Sequence, residues 1–303
     1  MRRTSIYAAA LFALTAGVSA CTTTQMNPAG GEHSAESHAA GTPAAGPMVV
    51  SNPSLPAGEA DAMARLTSSP RHGEWAMVST GPGDSVRVWV VYPERKTKAP
   101  IVIVVHEIYG LSPWIRAVAD QFAADGFIAV APDFLTMKQI PEGSDSVRRQ
   151  ATVAAIRTLN SADVQRQISA IASYAMALPA ALPKYGVVGF CWGGGVSFEH
   201  AVRAPTLGAS VVYYGTSPKS ETLSTVRAPV LGLYGGNDAR VNATIPAADS
   251  TMRALGKTYS PVIYDGAGHG FLRQQAGANG ANLTATQKAW PATIAWFRQH
   301  LGA

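Results

Sequence analysis

Hydrophobic positions along this chain follow two alternating periods. PIVIVVHE, residues 100 to 107, is an almost unbroken β-branched run, the pattern of a strand buried on both faces of a parallel sheet. The period then changes. In SPWIRAVADQFAADG, residues 112 to 126, Ile115, Val118, Phe122 and Ala123 recur on one helical face. Ser112-Pro113 opens that helix and Gly126 ends it. FIAVAPDF (127 to 134) is again a buried strand, and a mostly helical stretch runs from about Ser144 to Leu178. KYGVVGF (184 to 190), GASVVYYG (208 to 215), APVLGLYG (228 to 235) and SPVIYDGAG (260 to 268) read as four further strands, with a helix between Ile245 and Leu255. TQKAWPATIAWFRQHLG (286 to 302) closes as a helix in which Pro291 predicts a kink or a late start.

Ahead of these strands, GEWAMVST (73 to 80) and SVRVWVVYP (85 to 93) partly alternate polar and apolar residues around a GPGD turn, which predicts a hairpin. Strands alternating with helices predict an α/β class: a mostly parallel central sheet, an antiparallel N-terminal hairpin at one edge, and helices on both faces. Ligands bind such sheets at the carboxyl ends of the strands. The loops after the strands are therefore where chemistry is expected.

The periodic pattern lapses toward the N-terminus. Residues 1 to 20 place Arg2 and Arg3 before an apolar run from Ile6 to Val18 and then small residues, the order of an export signal peptide. The run is shorter than the roughly 20 residues that span a membrane. Val18-Ser19-Ala20-Cys21 resembles a lipobox, in which Cys21 becomes the lipid-modified first residue. Ordinary secretion, with the same cleavage before Cys21, is the alternative. Either way the expectation is an exported bacterial protein facing the periplasm, anchored through Cys21 or else soluble or secreted. Thr22 follows Cys21, so the aspartate that signals inner-membrane retention in enteric bacteria is missing.

Residues 21 to 70 are rich in Ala, Gly, Ser, Thr and Pro, too poor in apolar surface to offset ordering entropy, and read as a flexible tether. His33 and His38 within it read as incidental rather than metal-binding, and no metal or other cofactor is expected. Residues 71 to 303 are the right size for one domain with a single core. The net charge of +5 includes the two leader arginines, and without a basic cluster or basic-aromatic alternation nucleic-acid binding has no support. The two cysteines, Cys21 and Cys191, make no disulfide framework.

Cys191 is where the chemistry concentrates. Gly189-Phe190-Cys191-Trp192-Gly193 follows a buried strand and precedes a helix, the spacing of a nucleophile elbow with sulfur in place of oxygen. The tight turn exposes the middle side chain and aims a helix N-terminus at it, which favours a thiolate. A structural cysteine at a glycine turn is the plain alternative. Asp238, after the strand VLGLYGG, and His269, after SPVIYDGAG, complete the order nucleophile, acid, histidine. His269 would serve as general base with Asp238 fixing its tautomer. Glu107 ends an apolar strand, where a carboxylate is costly unless it is paired or turned to solvent. The backbone N–H groups of Ile108 and Trp192 stand where an oxyanion hole is expected.

HEIYG, APDF, GFCWGG, VVYYG, GGND and GAGHGFLR together resemble the dienelactone hydrolase (carboxymethylenebutenolidase) family, from about His106 to the C-terminus. The resemblance implies an α/β-hydrolase fold and a Cys191–Asp238–His269 triad. It also implies a Glu107 carboxylate that contacts the resting thiol and takes its proton when substrate arrives. The implied substrate is a small, anionic lactone or ester, its carboxylate held by Arg273 and by a second arginine, Arg148 or Arg149. The tyrosine that follows the second arginine in the family is missing here. A catalytically idle envelope protein that binds a ligand or partner on this fold, and a thiol-redox protein, are the other readings. The first would need degraded catalytic positions, whereas all four are present; the second lacks a nearby second cysteine.

Overall fold

The computed structural model describes residues 52–302. The expected signal peptide, Cys21 and the tether up to residue 51 lie outside the described residues. Eight strands form one sheet: β1 Gly73–Gly81, β2 Asp84–Val91, β3 Ala99–Val105, β4 Ile128–Asp133, β5 Ala181–Phe190, β6 Ala209–Tyr213, β7 Val230–Gly235 and β8 Tyr259–Tyr264. Their order across the sheet is β1-β2-β4-β3-β5-β6-β7-β8. β1 and β2 pair antiparallel, β2 meets β4 antiparallel, and every pairing from β4 to β8 is parallel. This is the predicted sheet, with the hairpin at one edge.

The helices are α1 Ala62–Ser68, α2 Pro113–Ala124, α3 Asp145–Ile156, α4 Ser161–Met176, α5 Trp192–Arg203, α6 Ala239–Asn242, α7 Ile245–Ala254 and α8 Ala281–Leu301. α1, α2 and α8 pack on one face of the sheet and α4, α5 and α7 on the other. Coverage of both faces explains why β3 carries no alternation. Ile101, Ile103 and Val105 enter one core cluster while Val102 and Val104 enter the other. Each such side chain contributes about 1.5–3 kcal/mol by leaving water.

Three segments differ from the sequence expectation. The helical stretch before β5 is broken: Asn160 caps α4, its side chain accepting from Ala162 N and Asp163 N, a cap that contributes about 1 kcal/mol. α8 begins at Ala281 and continues through Pro291. Pro291 and Gln287, whose carbonyl the proline leaves without an N–H, are both exposed, so the missing bond falls on the solvent side of the helix.

The third difference concerns the tether, expected to reach residue 70. Residues 52 to 70 instead pack on the domain: Leu55, Ala57 and Ala62 are buried. Arg65 donates to Gln121 Oε1 at 2.9 Å, and Trp114 Nε1 donates to Ala57 O at 3.1 Å. A few small apolar residues suffice because they fill sites on α2 rather than build a core of their own. Helix α1 is short, and its packing on α2 rather than any sequence period holds it.

Candidate active site

Parallel strands β3, β5, β6, β7 and β8 end on the same side of the sheet, and the loops that leave those ends build the site. At the centre, Cys191 follows β5 as the residue ahead of α5, with φ of 55° and ψ of −113°. A non-glycine residue with positive φ is uncommon and costs strain. Two glycines make the turn possible. A Cβ on Gly189 would lie 1.8 Å from Gly193 O, and one on Gly193 would lie 2.4 Å from His106 O. The elbow spacing is therefore a steric requirement that the structure satisfies.

Burial pushes the Cys191 thiol pKa up, and the charge of Glu107 adds to that. The Trp192 N–H beside the thiol and the Arg240 cation oppose them. The first amides of a helix have no intrahelical acceptor, which leaves the Trp192 N–H, on the first residue of α5, free to face the cleft. Cys191 opens onto a cleft of about 430 Å³ lined also by Ile108, Trp192, Val196, Tyr214, Ser217 and Arg240. Both predicted oxyanion-hole residues thus border the same cleft as the thiol.

The loops after β7 and β8 are tied together. Gly236 N donates to Tyr264 O at 2.8 Å and Asn237 N to Ala267 O at 2.9 Å. That fastening brings Asp238 Oδ2 to 2.5 Å from His269 Nδ1. Asp238 Oδ1 also accepts from Val241 N, at the start of α6. A carboxylate accepts only, so Nδ1 carries a proton and Nε2 is the nitrogen left to face away from Asp238. The His269 ring packs on Tyr214 at 5.2 Å between centroids. Among the described residues no hydrogen bond links the Cys191 thiol to His269.

Glu107 is buried, and that burial pushes its carboxyl up to about 7; Arg273 opposes the shift and Glu59 adds to it. Arg273 Nε approaches Glu107 Oε1 at 3.0 Å. The pair lacks hydrogen-bond alignment, and among the described residues both atoms remain without a hydrogen-bond partner. We therefore treat it as a charge contact. The preceding residue fixes the loop: His106 Nδ1 donates to Glu107 O at 2.8 Å, and Nε2 accepts from Phe134 N at 3.4 Å. One nitrogen must donate and the other accept, so His106 is a neutral, Nδ1-protonated imidazole. Its complete burial lowers its pKa accordingly.

The predicted arginines separate. Arg149 lies over the Tyr109 ring at 3.7 Å and Arg273 near the same ring at 5.1 Å. Arg148 lines a different depression, with Asp133 and Lys138, and does not join them. Arg273 was expected to face the substrate, but its side chain is only 8% exposed and already meets Glu107 and Glu59. Four residues gain a place that the sequence reading did not assign. Tyr109 supplies the ring that both guanidiniums approach. Tyr214, at φ 40°, turns a buried hydroxyl without a partner among the described residues toward the field of Glu107 and Cys191. Arg240 brings a cation to the cleft, and Glu59 arrives from the N-terminal segment. The pair Tyr214-Gly215, after a strand that ends at the carboxyl side, was the available signal for the second of these.

The model of the dienelactone hydrolase family matches residues 86–301. A protein of Salmonella typhimurium, provisionally named a carboxymethylenebutenolidase, is 28% identical over 265 residues, which cover 82% of this chain and 97% of that protein. A Bradyrhizobium protein, provisionally named a 2-oxo-3-(5-oxofuran-2-ylidene)propanoate lactonase, is 29% identical over 241 residues, 75% of this chain and 94% of its own. Among solved structures, that of a provisional dienelactone hydrolase from Klebsiella pneumoniae superposes with a TM-score of 0.64 at 27% identity. It covers 75% of this chain and 99% of that one.

Proposed function

Because this chain belongs to the dienelactone hydrolase family, whose chemistry is ester and lactone hydrolysis, we propose that it opens a small lactone or cleaves a small carboxylic ester through a Cys191 acyl-enzyme. The observation that carries the thiol mechanism is the geometry of Cys191, held at positive φ at the end of β5 on the floor of a cleft. Glu107, poised near neutrality, accepts the thiol proton. The thiolate sulfur attacks the carbonyl carbon, while the Ile108 and Trp192 amides stabilise the oxygen that becomes negative. The carbon–oxygen bond breaks, the leaving oxygen takes the proton back from Glu107, and a thioester remains. His269 Nε2 then removes a proton from water, the hydroxide attacks the thioester, and the acid leaves. The imidazolium returns its proton to the sulfur, with Asp238 stabilising that cation. Splitting the reaction into two displacements is what a covalent nucleophile contributes.

Rapid mixing of the full chain with a short p-nitrophenyl ester, followed by acid quench and peptide mass analysis, tests this. The expected result is an acyl adduct on the peptide that contains Cys191, formed in a burst ahead of steady turnover. Turnover without any adduct on that peptide would remove the thioester from the mechanism.

The export reading is likewise a proposal, resting on the order of charge, apolar run and small residues before Cys21. Fractionation of cells expressing the full chain is expected to find it with the envelope, and Cys21→Ala to move it to the soluble fraction. Equal membrane association of the two would mean that Cys21 is not the anchor.

A further inference from the structure

Arg273 is almost wholly buried, and a buried guanidinium requires a partner. Glu107, poised between its charged and neutral forms, is a part-time partner. The other is Glu59, whose Oε2 meets Arg273 Nη1 while its Oε1 lies 3.7 Å from Arg149 Nη1. A single carboxylate therefore bridges the two guanidiniums that lie near the Tyr109 ring. The site has the chemistry of an anion receptor: two planar cations beside one aromatic ring, and a position for a carboxylate near the residue that takes the thiol proton.

The occupant is held from its own backbone. Glu59 N donates to Arg273 O at 2.9 Å. Gln275 Nε2 donates to Pro56 O at 2.8 Å, and Trp114 Nε1 to Ala57 O at 3.1 Å. Glu59 precedes residue 86, where the family match begins, so it is supplied by a segment outside that match. Its side chain is 47% exposed against 8% for Arg273. A half-exposed carboxylate on a buried cation is a ligand that another carboxylate can displace.

We propose that Glu59 is a resident carboxylate that fills the Arg273–Arg149 receptor and sets the substrate's charge. Neutral esters and lactones reach the thiol without disturbing it, while a substrate with a carboxylate near the scissile bond must displace Glu59 first. Specificity is a difference of affinities, and a built-in competitor lowers one of the two terms. This rests on the thiol-hydrolase reading of the same site.

The test uses the purified full chain and two lactones, 5-methylidenefuran-2-one and its carboxymethylidene analogue, which adds the carboxylate. In Glu59→Gln the ratio of kcat/KM for the carboxylate lactone to that for the neutral one is expected to rise about tenfold or more, the scale of one charged hydrogen bond released from competition. Titration of crotonate, a bare carboxylate, is expected to show tighter binding to Glu59→Gln than to the unaltered chain. Glu59→Ala, whose shorter side chain cannot reach the guanidiniums, should repeat both effects. An unmoved ratio with unmoved crotonate affinity overturns the proposal. So does a parallel fall in both lactones with a lowered Tm, which would make Glu59 a strut. If instead neither lactone turns over, the hydrolase reading is what fails, and the crotonate titration still decides whether Glu59 occupies an anion receptor.

Discussion

Cys191→Ala is expected to lower kcat for any ester or lactone by about ten-thousandfold or more, on the scale of losing the nucleophile in covalent hydrolases. Among the described residues Cys191 is the one free cysteine. Alanine retains the Cβ, so the strain of the positive φ is the same in both proteins. The substitution removes only the sulfur. Thermal unfolding should therefore differ little, which separates chemistry from folding. Cys191→Ser makes the sharper comparison. Glu107, with its carboxyl near 7, is matched to a thiol but far too weak a base for a hydroxyl. Serine should fall nearly as far as alanine despite keeping a nucleophilic atom. If serine retained a substantial part of the rate, His269 rather than Glu107 would be the activating base. Near-normal turnover by a folded alanine variant would leave the cysteine structural.

Much of this arrangement is legible along the chain because it is local. β3 declares itself through a β-branched run that both faces of a sheet must bury, and the elbow through glycines whose replacement would drive a Cβ into a carbonyl. Asp238 and His269 could be placed because parallel strands deliver their loops to one side. What stayed hidden depends on distant contacts. Glu59 sits in a stretch too poor in apolar residues to show a period, and its partner Arg273 is 214 residues away. The choice between Arg148 and Arg149 depends on which side of α3 faces the Tyr109 ring, and adjacent helical residues point in directions about 100° apart. The burial of Arg273 could not be read either, since one of the residues that meets it, Glu59, comes from the N-terminal segment.

Glu107→Gln is expected to move activity and stability in opposite directions. Burial drives the Glu107 carboxyl up to about 7 from 4.5, against the pull of Arg273. The folded state therefore favours the protonated form. The stability this group contributes is complete below pH 4.5 and is lost progressively as pH rises to about 7. Above that, the folded protein carries a buried carboxylate at a cost of up to about 3 kcal/mol. Glutamine has the shape of the protonated acid and cannot ionise, and Arg273 keeps Glu59 as its counter-ion. At pH 8 the variant should thus be more stable in denaturant titrations by about 2–3 kcal/mol, with the difference closing toward pH 4. Catalysis should change the other way. With no acceptor for the thiol proton, kcat/KM is expected to fall about a hundredfold to ten-thousandfold, the range of a general base. The rise of wild-type kcat/KM through about pH 7 should vanish with it, because Glu107 must be ionised to take that proton. A variant equally stable at pH 8 would mean that water or Arg273 already compensates the buried charge. A retained rate with a retained pH rise would assign the proton transfer to another group. A gain in stability together with the loss of activity would be hard to reconcile with any role other than catalysis, since a carboxylate that weakens the fold at neutral pH is kept only by what it does to the thiol.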